Sequence, residues 1–139
     1  MTGPDERAVL VDAYRRERLS FLQYVRQASP FAGPEDKGVL DRIRDIADAE
    51  SASLDALGEY LDRNRIVVTH VGAFPTSFTN YNFVAVRKLV PGLVGDETRG
   101  LAALGRDASA LAPGEARTWL ERLAESKRMH LNELEKMAA

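Results

Sequence analysis

The stretch LAESKRMHLNEL, residues 123–134, decides how this chain is read. Placed on a wheel of 100° per residue, it puts Lys127 and His130 on the apolar side. There they line up with Leu120, Leu123 and Leu134. An ammonium and an imidazole facing inward need partners, because an isolated buried charge is expensive. The partners are sought in the other segments of the chain.

Apolar residues recur at helical spacing almost throughout. PDERAVLVDAYRRERLSFLQYVRQA (4–28) predicts a first helix that opens on Pro4, Asp5 and Glu6. Proline at a helix start and acids in its first turn suit the helix dipole. SPFAGP (29–34) ends it, as a cluster of helix breakers. PEDKGVLDRIRDIADAESASLDALGEYLDRN (34–64) predicts a second helix. RIVVTHVGAFPTSFT (65–79) has no helical period. NYNFVAVRKLVPGLVGDETRGLAALGRDASAL (80–111) predicts a third helix, with Pro91 inside it. Proline there removes a backbone donor and crowds the preceding turn, so a kink or break is expected. A gap beside Glu97, at Gly92 and Gly95, is expected with it. APGEARTWLERLAESKRMHLNELEKMAA (112–139) predicts the fourth helix.

Short links make antiparallel neighbours. A link of about 15 residues, extended at about 3.3 Å each, runs the length of a bundle. The expected fold class is therefore all-α, a four-helix bundle of two antiparallel hairpins joined by a long crossover between the second and third helices. It forms one domain over residues 1–139.

On the same wheel the first helix buries Leu10, Tyr14, Phe21, Tyr24 and Val25, with Glu17 mid-stripe. The second buries Leu40, Ile43, Ala47, Leu54, Leu57 and Leu61, with Glu50 between them and Ser53 at the edge. The third buries Val86, Val90, Leu93, Leu101 and Leu104, with Glu97 central. Each helix thus turns a charged residue inward near its midpoint. Trp119, Phe83 and Phe21 read as core packing, and His70 as a loop residue.

This pattern resembles the ferritin-like superfamily of ferritins, rubrerythrins and di-iron carboxylate proteins. Those bundles take one Glu from each of two helices and a Glu-x-x-His from each of the other two. By that resemblance Glu17 and Glu97 match the single acids. Glu50-Ser51-Ala52-Ser53 and Lys127-Arg128-Met129-His130 stand at the two Glu-x-x-His motifs. Ser53 then replaces a histidine, and Lys127 a carboxylate.

The resemblance implies a metal site of Glu17, Glu50, Glu97 and His130 holding one iron or manganese ion for oxygen or peroxide chemistry. Lys127 and Tyr14 would be its catalytic residues, Lys127 as proton donor and Tyr14 as electron carrier. Such a protein would be an oxidoreductase. The alternative is a metal-free bundle in which the acids pair with Lys127 and His130, working as a structural or protein-interaction module. The crossover suggests a homodimer through 65–78, with Val67, Val68 and Val71 exposed.

Net charge is −2, which offers no field for nucleic acid or a membrane surface. The absence of cysteine excludes disulfides, Cys-ligated zinc and iron–sulfur clusters. No apolar run reaches the roughly 20 residues of a membrane span, and the N-terminus lacks a signal-peptide pattern. A cytoplasmic location is the expectation. No phosphate loop, nucleophile elbow or zinc-protease motif is present.

Overall fold

A computed structural model of the chain describes residues 5–28, 30–82 and 84–138. Pro4 and Phe83, named above as a helix start and a core residue, lie outside the described residues. Among those described, the structure is all-α and contains no strand. It has α1 (Glu6–Arg18), α2 (Phe21–Gln27), α3 (Lys37–Arg63), α4 (Val86–Ala110) and α5 (Glu115–Ala138). Short 3-10 turns cover Pro34–Asp36 and Thr76–Tyr81.

The first predicted helix is two helices. The apolar period continues across Leu19 and Ser20, but side-chain hydrogen bonds override it. Ser20 adopts an extended conformation, and its hydroxyl accepts from Gln23 N at 3.2 Å. The freed amide of Phe21 donates to Asp96 Oδ2, on α4, at 2.9 Å. Both groups satisfy donors that a helix start leaves open.

The third predicted helix begins late. Residues 82 and 85 are extended, and Val86 N donates to Phe31 O at 2.8 Å beside an isolated parallel bridge between Phe31 and Ala85. That pairing holds the chain out of helical geometry until Val86. From there α4 runs through Pro91 without a break. Pro91 and Arg87 both face solvent, so water can satisfy the carbonyl that the proline leaves without a donor.

The core has two parts. One joins Leu10, Ala13, Leu54, Leu57, Leu61, Leu104 and Leu120, with Trp119 and Tyr60 half-buried at its edge. The other joins Phe21, Leu22, Val25, Ile43, Ile46, Leu89, Leu93 and Leu134. The expected apolar stripes are buried, except that Tyr14, Tyr24 and Leu101 are half-buried. Ile46, Leu89 and Gln23 join the core beyond expectation.

Glycines mark where α1 and α2 come closest to their neighbours. A Cβ on Gly92 would meet the Phe21 ring at 3.0 Å, and one on Gly58 would meet the Tyr14 hydroxyl at 3.2 Å. A cleft of about 250 Å3 does open at Gly92, lined also by Phe21 and Asp96, but Glu97 does not line it. Gly95 borders only the Arg99 guanidinium, at 3.4 Å.

The crossover is not uniformly exposed either. Ile66 and Val68 pack against the first core cluster, Val71 is half-buried, and Val67 alone of the three valines is exposed, at 73%. No helix among the described residues is long and apolar enough to cross a membrane.

Candidate functional site: a lysine among three carboxylates

Between the two core clusters lies a group of buried charges. Each comes from a position where helical periodicity turns a polar residue inward. Glu17 stands in the last turn of α1, Glu50 midway along α3, Glu97 midway along α4, and Lys127 midway along α5. Lys127 is 3% exposed and Glu97 0%.

Lys127 Nζ lies 2.7 Å from Glu17 Oε1, 2.9 Å from Glu97 Oε1 and 3.2 Å from Glu50 Oε1. An ammonium has three N–H donors. Two are directed at Glu50 and Glu97, and Glu17 forms an ion pair with the same ammonium. His130, one turn beyond Lys127, lies with Nδ1 2.9 Å from Glu50 Oε2. Both oxygens of Glu50 are therefore engaged.

Two effects compete in this group. Burial disfavours every charge, and the opposite charges nearby restore it. Burial pushes Glu50 up, but the His130 hydrogen bond and the Lys127 charge outweigh it and hold its carboxyl at about 2. An ionised carboxylate only accepts, so His130 Nδ1 is the donor in that pair. Burial pushes Glu97 up to about 9, with the Glu50 charge adding and Lys127 opposing. Its Oε2 is buried with no hydrogen-bond partner, a position that suits an uncharged group better than a charged one. Glu17 is also raised, chiefly by burial and against the pull of Lys127. Burial alone would lower Lys127, but Glu17, Glu97 and Glu50 together raise it. Lys127 is thus held charged, one acid is held ionised, and Glu97 keeps its proton at neutral pH. The titration belongs to the group as a whole rather than to any one residue.

The structure brings Glu17, Glu50, Glu97, Lys127 and His130 together. Tyr14 it places elsewhere. Its hydroxyl accepts from Arg18 Nε at 3.2 Å, and the Arg18 guanidinium stacks over its ring at 5.1 Å. Arg18 also bonds Asp55 and donates to Ser51 Oγ at 3.3 Å. Ser53 donates to its own helix, at Ala49 O, 3.2 Å away. The serine that turns inward is Ser51, which is buried. The Arg18–Tyr14–Ser51 group went unread in the sequence. Its only local signal is the four-residue spacing of Tyr14 and Arg18.

The metal site that the resemblance implies would fall at the same point as the charge group. A cation held by these acids needs the point where their oxygens converge, and Lys127 Nζ occupies it. An ammonium repels a divalent ion unless it loses its proton, and its surroundings favour keeping that proton. Among the described residues, no three His, Asp or Glu side chains form a group able to hold a metal ion. The donor set as arranged does not fit a metal.

The cluster is not sealed. A cleft of about 510 Å3 opens between α1, α4 and the crossover, and both Glu17 and Lys127 line it. Gly100 stands at its inner end. A Cβ there would sit 3.1 Å from Glu17 Oε2 and 3.5 Å from Lys127 Cδ and Cε. The opening that reaches the charge group lies beside Glu17, at Gly100, and the cleft at Gly92 does not reach Glu97.

No family model matches this chain, and neither the curated proteins nor the solved structures compared with it yield a match.

Proposed function

We propose that the chain is a metal-free member of the ferritin-like class. Its fold would be a four-helix bundle in which α1 and α2 together make the first helix, followed by α3, α4 and α5. Two short links and the long segment 64–85 support that topology. Lys127 stands where the cation would be. The charge group fixes the register of the helices, a use attested for some buried polar groups. The molecule works as a structural or protein-interaction module.

One observation carries this reading: the Lys127 ammonium lies within hydrogen-bond reach of a carboxylate from each of three other helices. The oxidoreductase reading needs Lys127 to leave that position.

Elemental analysis of untagged protein, after anaerobic loading with Fe(II) or Mn(II) and desalting, tests the proposal. Well under one equivalent of bound metal is expected. A full equivalent would overturn it. The companion variant is Lys127→Glu, which supplies a fourth carboxylate. It should bind Mn(II) and gain thermal stability from it, since a ligand that binds only the folded state stabilises that state. Folded K127E that gains no metal binding would remove the ferritin-like part of the reading.

A further inference from the structure

The cleft beside the charge group has a chemistry of its own. Its rim carries three guanidiniums, Arg16 on α1 and Arg99 and Arg106 on α4. They are incompletely used. Arg16 bonds Asp107 at 3.1 Å, but its Nε is buried without a partner. Arg99 approaches Asp96 only to 3.6 Å, outside ordinary hydrogen-bond range. That carboxylate is already engaged by Phe21 N. Arg106 is exposed and has no ion pair among the described residues. Arg99 and Arg106 are seven residues apart, two turns on one face of α4.

The inner end has the opposite character. Glu17 is 5% exposed and lines the cleft. Its Oε1 is taken by Lys127. Its Oε2 is the atom that a Gly100 side chain would meet, so the missing side chain leaves that oxygen facing the cleft. Glu17 is the acid of the group that lines the cleft. The rest of the wall includes Leu19, Pro75 and Phe78, and Asp96 and Lys127 line the cleft as well. The volume falls within the range of small-molecule sites.

Three guanidiniums against one carboxylate, Asp96, with Glu17 beside Gly100, match a molecule with a carboxylate at one end and an ammonium at the other. We propose that the cleft binds a small aminocarboxylate, its carboxylate held by Arg99 and Arg106 and its ammonium by Glu17 Oε2, reached past Gly100. The side chains form a binding site with no reaction assigned to it. The inference rests on the same placement of Lys127 beside Glu17 as the metal-free reading; metal analysis and a probe titration on chelator-treated protein fail separately.

The test uses 15N-labelled full-length protein treated with chelator. It is titrated with 6-aminohexanoate, hexanoate and hexylamine at matched ionic strength. Saturable shifts of the Gly100 and Ala103 amides are expected with 6-aminohexanoate. Its affinity should exceed that of either single-ended probe by about tenfold, equivalent to about 1.4 kcal/mol. Arg106→Gln, a surface change, should weaken 6-aminohexanoate toward the level of hexylamine. Gly100→Ala, which puts a methyl group at the opening, should weaken it as well. Three results would each overturn the proposal: no saturable shift at Gly100 and Ala103 at millimolar probe, equal affinity for hexanoate and 6-aminohexanoate, or unchanged affinity in R106Q.

Discussion

Lys127 and Glu97 sit at hydrogen-bond distance in the same buried group, yet replacing them has unequal consequences. Taking away the ammonium strands the acids around it. Breaking a buried ion pair from one side costs about 3–5 kcal/mol, so Lys127→Met should destabilise the protein by about that much at neutral pH. Urea unfolding measures it, and part of the loss should return at mildly acidic pH, where the stranded acids can take up protons. Glu97→Gln, by contrast, replaces a carboxyl that already holds its proton. It should cost less than about 1 kcal/mol at neutral pH, within the ordinary range for a hydrogen-bonding change. Equal losses in the two variants would show that Glu97 is ionised.

At the scale of the elements, the point to explain is the break at Ser20. Helical period alone carries the first helix from Asp5 to Ala28. A serine cap and a carboxylate from α4 break it into α1 and α2. Losing a serine cap costs typically about 1 kcal/mol. Ser20→Ala should lower stability by that amount, read as a shift in the urea midpoint with unchanged slope. Asp96→Asn should cost less, since an amide oxygen can still accept from Phe21 N. The long α3 and α5 were legible because helical period runs the length of each, and proline, glycine or asparagine signals flank both ends of α3 and the start of α5. The late start of α4 was not, because it depends on Phe31, 55 residues earlier in the chain. The same holds for the glycines. Gly58, Gly92 and Gly100 look alike within a helical pattern, and only the side chain packed against each shows which space is filled and which is open.

For the whole molecule, the charge group makes stability depend on pH in two opposing ways. Glu97 is raised from 4.5 to about 9. Between those values the folded state holds a proton that the unfolded chain has released, so its contribution to stability falls as pH rises through that window. Glu17, also raised, acts in the same sense. Glu50 is lowered from 4.5 to about 2, so its contribution is complete above 4.5 and is lost as pH falls toward 2. The expected curve of unfolding free energy against pH peaks in the mildly acidic range and declines toward pH 8. E97Q should flatten the alkaline side. A wild-type curve still rising between pH 6 and 8 would contradict the assignment. Assembly is the other property at this scale. With Val68 and Val71 half-buried, the crossover offers Val67 where a stable interface needs about 800 Å2 per partner. Sedimentation velocity is expected to show a monomer.

The residues of the charge group were legible from spacing alone: Glu17, Glu50, Glu97, Lys127 and His130 each fall on an apolar face. Helical class and the buried stripes were legible for the same reason, since periodicity is a local property written along the chain. Whether those side chains meet is a different matter. It depends on how far each helix slides and turns relative to the others, and no local pattern records that. Tertiary packing therefore decided that the ammonium reaches all three acids, that Tyr14 belongs to Arg18, and that the group opens to solvent at Gly100. Atoms from four helices converge within about 3 Å only once the core has closed around them.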